Sequence, residues 1–280
     1  MNTHTAERSP TAERAATSAV QEPETWTLRL ASGLVIHVPP SLRSLSTFVL
    51  LEQEQWFEPE MSLLPHLLVD GQGQAIHALD IGANHGVVAL EMAQASGHGH
   101  VWAFEPTATP RAALERSVVA NGFTSRITVV AAGLSDQAGS ARFVVQDNSE
   151  LNARDGNGPG GGRHETVQLC TLDSWLDGLG AAAPAIGFIK LDAEGDEVRV
   201  LAGGQRFFAQ QSPVVLFELK HGAAVNHALL DAWQALGYDI FRWSAELALL
   251  RPFDAAGDEL AFALNLVAVR PVQQAALVAR

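Results

Sequence analysis

An α/β fold built on a doubly wound sheet, with a β-hairpin and helical addition at its N-terminus, is predicted by three observations. Apolar runs ending in a charged group recur along the chain, at Ala75–Asp80, His100–Glu105, Ile186–Asp192 and Val214–Lys220. The first three give way directly to apolar residues at helical spacing, and the fourth is followed by one more such stretch, the alternation expected of parallel strands with crossover helices. Near the C-terminus, Tyr238–Trp243 and 261–270 read as two further strands without an intervening helix, a closing hairpin.

The chain has 280 residues, 47% of them hydrophobic, enough for one large domain with an extra piece. Its formal net charge of -13 would repel a phosphate backbone, and no basic stripe is present, so no nucleic-acid partner is expected. A single cysteine, Cys170, excludes an intramolecular disulfide and reads as a small buried residue. Residues 1–24 hold no apolar stretch long enough for a signal peptide or membrane span. They read as a poorly ordered tail, with no membrane partner and a cytoplasmic location expected.

Residues 25–70 form the N-terminal addition. Trp26, Leu28 and Leu30 alternate with polar residues, Ala31-Ser32-Gly33 turns the chain, and Leu34, Ile36 and Val38 alternate again, a hairpin ended by Pro39-Pro40. Helical pieces are predicted near 42–52 and 60–69, covering either the ligand cleft or one sheet edge. Residues 71–280 form the main domain.

The first strand of that domain ends at Asp80 and enters the loop Gly82-Ala83-Asn84-His85-Gly86 before a helix. Glycine permits unusual dihedrals and close approach at Gly82 and Gly86. The dinucleotide fingerprint would need a middle glycine and the Walker loop a Gly-Lys-Ser/Thr; both are missing. What remains suits a ligand with a ribose and an amino acid but no phosphate, S-adenosylmethionine. Glu105, at the tip of the second strand and followed by Pro106, can accept from both ribose hydroxyls, as it also could in a nicotinamide enzyme.

A third strand, Arg126–Ala132, is expected to place Gly133, Leu134, Ser135 and Asp136 where an adenine would reach. Asp136 either bonds the adenine amino group or closes a turn with Gly139. Strands at Ala141–Gln146 and Glu165–Cys170 flank a glycine-rich loop, Asp155–Gly162, which is either an acceptor lid or a surface insertion. Thr171 or Asp173 can cap the helix that follows.

Asp192 ends the next parallel strand, and in a doubly wound sheet it should face the same crevice as Asp80. A carboxylate there, Asp192 or Glu194, can take the proton an alcohol loses on methylation. Both also admit structural roles, Asp192 orienting an amino group and Glu194 capping a helix. Glu218, in the fifth strand, and His221, just after it, are reserves for acid-base work. Asp192, Glu194, Glu218 and His221 are also hard-metal ligands by type, but no compact ligand motif supports a metal and none is expected.

Taken in order, Asp80-Ile81-Gly82-Ala83-Asn84-His85-Gly86, Ala103-Phe104-Glu105-Pro106, Gly133-Leu134-Ser135-Asp136, Thr171-Leu172-Asp173-Ser174 and Ile189-Lys190-Leu191-Asp192-Ala193-Glu194-Gly195 resemble the motif set of the FkbM-type S-adenosylmethionine-dependent methyltransferases. The resemblance implies a class I methyltransferase, Rossmann-like, with a seven-stranded sheet of order 3-2-1-4-5-7-6. It further implies methyl transfer to a hydroxyl of a small acceptor such as a sugar or polyketide. Catalytic candidates are Asp192, Glu194 and His221; cofactor candidates are Asp80, Gly82, Ala83, Asn84, Gly86, Glu105, Pro106, Ser135, Asp136 and Asp192. Alternatives are a nicotinamide-dependent oxidoreductase and a non-catalytic S-adenosylmethionine-binding protein.

Overall fold

The structure is a computed structural model that describes residues 24–157, 161–180, 183–221, 224–254 and 264–278. The expected tail therefore lies outside the described residues except for Glu24, as do residues 158–160 of the glycine-rich loop and 261–263 of the expected last strand.

In the N-terminal addition, β1 (Trp26–Arg29) and β2 (Val35–Val38) pair antiparallel. Helix α1 (Leu45–Gln53) starts at Ser44, whose hydroxyl accepts from the Thr47 amide, satisfying one of the free amides of the first turn. A 3-10 turn at Pro59–Leu63 leads into the short α2 (Leu64–Leu67). This addition is not an appendage, because Leu30, Leu34, Ile36, Val38, Leu64 and Leu68 join the same apolar cluster as Leu90 and Leu216 of the main domain. The hairpin is tied down by Ser117 and Asn121, which accept from the His37 and Val35 amides at 2.9 Å each.

The main domain alternates as expected: β3 (His77–Ile81), α3 (Val87–Ser96), β4 (Val101–Phe104), α4 (Ala108–Ala120) and β5 (Ile127–Val130). An inserted arm follows, with β6 (Gly133–Leu134), β7 (Gly139–Val145), β8 (Ala153–Arg154) and β9 (Arg163–Cys170). Then come α5 (Leu172–Gly178), whose Thr171 and Ser174 form a reciprocal cap, β10 (Ile186–Leu191), α6 (Glu197–Ala202) and α7 (Gln205–Gln211). The chain ends with β11 (Val214–Glu218), a small ribbon of β12 (Lys220–His221) and β13 (Ala224–Val225), α8 (His227–Ala235), β14 (Asp239–Ser244), β15 (Leu249–Pro252), β16 (Asn265–Val269) and α9 (Pro271–Val278).

The main sheet has the order β5-β4-β3-β10-β11-β16-β14-β15. The first five strands are mutually parallel, and β16 runs antiparallel to β11. Eight strands stand where seven were expected. The extra strand, β15, contains Pro252, a residue that argues against a strand in sequence and is accommodated here because β15 is the sheet's edge. The third strand also ends earlier than its apolar pattern suggests. After Val130 the chain leaves the main sheet, and Gly133-Leu134 pairs instead with Leu169 and Cys170 of the arm.

Two apolar clusters, one on each face, sandwich the sheet. Alternate residues Ala78, Phe188, Leu216 and Val267 face the N-terminal addition and α3; Leu79, Ile189, Val215 and Leu266 face the cluster that holds Phe207, Phe208 and Trp233. The period-2 alternation carries Asp80, Lys190, Asp192, Glu218 and Asn265 in phase with the first set. Polar groups at the sheet's carboxyl edge therefore collect beneath the N-terminal addition.

Candidate active site

A cleft of about 1000 Å³ of empty space, its mouth included, opens at the carboxyl ends of β3, β4 and β10. This is the position expected of a ligand site in a doubly wound sheet, where neighbouring crossovers leave in opposite directions. Asp80, Glu105 and Asp192 all line it, as do Gly82, Ala83, Asn84, Pro106 and Glu194.

Both loop glycines are required by packing rather than by room for a ligand. Gly82 has φ of 83°, and a Cβ there would lie 1.7 Å from the Asp192 carbonyl oxygen. Gly86, with φ of 88°, begins α3 and would drive a Cβ to 2.2 Å from Leu114 Cδ1. The close approach thus serves β3 against the β10 tip and α3 against α4. Between them Asn84 takes a left-handed φ of 49°, aiming its amide at Glu105 Oε2, 3.0 Å away.

Glu105 also accepts from the Thr107 amide at 2.8 Å and the Thr107 hydroxyl at 2.5 Å. Burial nevertheless raises its carboxyl above the usual range, outweighing these bonds. Asp80 is 1% exposed, and its Oδ2 has no hydrogen-bond partner. Burial pushes Asp80 up to about 7 despite the Lys190 ammonium nearby. Orphaned buried acceptors are uncommon in folded proteins, and one aimed into a cleft marks a place for a donor or cation.

Beside Asp80 the cleft holds a cluster that the sequence reveals only in part. Lys190, on β10 opposite Asp80, is 2% exposed and sits 3.8 Å from Glu58 and 3.6 Å from Asp192, and it donates to Asn265 Oδ1 at 3.1 Å. Burial alone would pull its ammonium down, but Glu58, Asp192, Glu218 and Asp80 together hold it above its ordinary value. Glu218 is raised by burial first and then by Asp192, which accepts its proton in a hydrogen bond. Glu194 is also raised, by burial first and then by Asp192, Glu197 and Glu150, and its backbone takes a left-handed φ of 47°. Strained non-glycine backbone of this kind is concentrated at functional sites. The loop amides of Ala193 and Gly195 are bound by Glu197, at 3.0 Å each.

A roof closes the cleft beside the glycine loop. His85, fully buried, has Nδ1 3.3 Å from the Ser46 hydroxyl of α1 and Nε2 3.3 Å from the Ser149 hydroxyl, which itself donates to Asn84 Oδ1 at 2.8 Å. Glu150 accepts from the Ser46 amide at 2.9 Å and from its hydroxyl, and Asn148 accepts from the Leu45 amide at 2.9 Å. The segment after β7 thus caps α1, and the arm is anchored below by Arg154, which grips buried Asp196 through two nitrogens at 2.8 and 2.6 Å.

Among the expected site residues, Gly86, Ser135 and Asp136 are absent from the cleft lining. Ser135 is buried and accepts from Arg154 Nη2 at 2.8 Å, while Asp136 pairs with Arg199 at 3.4 Å away from the cavity. The cause is the early departure of the chain to the arm, which leaves Gly133 and Leu134 as the wall. His221 falls in the β12–β13 ribbon, and its side chain lies outside the described residues. Conversely, Lys190, Glu58, His85, Ser149, Glu150 and Asn152 line the cleft without having been singled out as site residues. Lys190 alone left a signal: a lysine inside an apolar strand, in phase with Asp192. Among the described residues no group of three or more His, Cys, Asp or Glu could hold a metal, and no helix is long and apolar enough to cross a membrane.

A doubly wound sheet with an antiparallel strand inserted beside β11, and a cleft carrying an acid at the tips of β3, β4 and β10, defines the class of S-adenosylmethionine-dependent methyltransferases. The chain belongs to the family of the methyltransferase FkbM domain, whose sequence model matches residues 80–240, and its cofactor is S-adenosylmethionine. The unpartnered Asp80 oxygen and the Glu105 carboxylate fit a ligand that carries cationic groups and a ribose. Among solved structures, an FkbM methyltransferase from Methylobacillus flagellatus KT is 20% identical, with 69% of this chain and 43% of that one covered and a TM-score of 0.45. An S-adenosylmethionine-dependent O-methyltransferase from Thermotoga maritima is 16% identical, with 88% and 77% covered and a TM-score of 0.43. The chain spans less than half the length of the first, and neither likeness adds to the fold described above. No curated protein matches the chain.

Proposed function

We propose that this methyltransferase acts on a hydroxyl oxygen of a small molecule, a sugar, polyketide or related natural product. The observation that carries the reading is the gathering in one cleft of Asp80, Glu105 and the loop residues Gly82, Ala83 and Asn84 with the carboxyls of Asp192, Glu194 and Glu58 around Lys190. The bound cofactor supplies a methyl group on a positively charged sulfur. On this reading Glu105, with Pro106 fixing the chain after it, holds the ribose, and Ala83 and Asn84 line the nucleoside. Asp80 and Asp192 face the cationic end of the donor.

Methyl transfer turns a cation and a neutral alcohol into two neutral molecules and a proton, so the site must provide a proton acceptor. Glu194 suits that role better than Asp192, which already accepts from Glu218 and lies beside Lys190. A carboxyl raised by burial is a strong base once ionised, and a nearby positive charge favours its ionisation. A positioned base of this kind contributes about a hundred- to ten-thousandfold to rate. The test is a screen of sugar and polyketide alcohols with methyl-labelled donor, and labelled product expected on oxygen. Label found on nitrogen or carbon would overturn the O-methylation reading.

A further inference from the structure

Lys190 stands in an otherwise apolar strand, between Ile189 and Leu191, with Nζ inside the cluster rather than in solvent. A methionine would fill similar space without desolvating a charge, and a buried ion pair is rarely more stabilising than its apolar replacement. Stability therefore does not account for an ammonium here. The charged contacts are of one kind, ion pairs with carboxylates on the N-terminal addition and at the β10 tip, while Asn265 from β16 accepts a hydrogen bond.

We propose that Lys190 is a positioning residue of the transfer site, whose ammonium ties Glu58 of the N-terminal addition to Asp192 and holds both side chains beside the cationic end of the donor. The inference rests on the donor-binding reading above. It makes the N-terminal addition a working part of the site, since Glu58 enters the cleft from the loop between α1 and the 3-10 turn. The charged and titratable groups facing Lys190 are Glu58 and Glu60 from that addition, Asp80 on β3, Asp192 and Glu194 beyond β10, and Glu218 on β11. Six acids surround one base, so removing the base leaves carboxyls free to take up protons. That compensation allows a Lys190→Met chain to fold.

The test is S-adenosylmethionine binding by calorimetry from pH 6 to 9, with thermal unfolding followed at each pH. In Lys190→Met the buried acids Asp80, Glu194 and Glu218, which burial raises and the Lys190 charge opposes, must ionise unaided before they can face a cation. The affinity curve is expected to move to higher pH than the wild type, falling about tenfold for each pH unit below the new carboxyl value. Lys190→Arg, which keeps the charge, is expected to follow the wild type. Glu58→Gln removes a competitor for the ammonium and is expected to move the curve the other way, to lower pH. Superimposed or parallel curves for wild type and Lys190→Met, or shifts of the same sign in Lys190→Met and Glu58→Gln, would overturn the proposal. If Lys190→Met does not fold, the sign of the Glu58→Gln shift decides. A wild type that binds no S-adenosylmethionine at any pH would remove the donor-binding reading and this inference together.

Discussion

Replacing Glu105 by alanine separates the holding of a ligand from the holding of the fold. In the folded chain the carboxylate accepts from the Asn84 amide, the Thr107 amide and the Thr107 hydroxyl, and bonds to a charged group are worth about 1.5–3 kcal/mol each. Those gains are offset, because burial raises the carboxyl despite them, so carrying the charge inside costs more than its bonds return. With the cleft open to water that can serve the freed donors, the net change in folding stability is expected to be only about 1 kcal/mol. Donor affinity is a different matter. Losing the ribose acceptors should cost about 1.5–3 kcal/mol, a drop of roughly 10- to 150-fold. Urea unfolding of the ligand-free protein measures the first quantity and calorimetry with S-adenosylmethionine the second. The sign of the pH effect is also set. A carboxyl raised in the folded state costs stability as pH climbs from its unfolded value through its folded one, and the alanine chain should lack that slope. Unchanged affinity would take Glu105 out of the site, and an affinity loss matched by collapse of stability would make it a structural residue.

Gly82→Ala places a Cβ 1.7 Å from the Asp192 carbonyl and imposes a left-handed φ on alanine, so urea unfolding should show a loss of about 3 kcal/mol or more. A loss below about 1 kcal/mol would mean that the β3 and β10 tips are not locked together. His85, held down to about 4 by burial, contributes stability that is complete above its unfolded value of 6.5 and drains as pH falls toward 4, by about 1.4 kcal/mol per unit. Comparing acid unfolding of the wild type with His85→Gln isolates that slope, which the variant should lack. Arg154→Met strips buried Asp196 of its closer ion pair and leaves it Arg199 at 3.6 Å and Asn157 at 3.0 Å, a cost of up to about 3 kcal/mol, and should lower the thermal midpoint while loosening the arm. An unaltered midpoint would show the arm to be held by its apolar residues alone.

Much of the architecture was legible because its signals are local. Runs such as Ile186–Leu191 are apolar on both faces, as central parallel strands must be, and the glycine loop after Asp80 has a composition that only a few turns require. Asp80, Glu105 and Asp192 could be assigned to one crevice because each ends such a run and the order of a doubly wound sheet brings those ends together. Strand β15 was hidden by its proline, and Ser135 and Asp136 were misplaced because nothing local marks where β5 stops and the arm begins.

The residue order by itself thus determined the alternating strands and helices, the crevice and the acids at its rim, since periodicity and turn chemistry act over a few residues. Only the tertiary structure decided what those acids face. Glu58 meets Lys190 across 132 positions of sequence, and Ser46 meets His85 across 39, through packing of the N-terminal addition onto the sheet. Such pairings depend on how separate elements share one apolar core, and the charge state of a buried carboxyl depends on every neighbour that packing supplies.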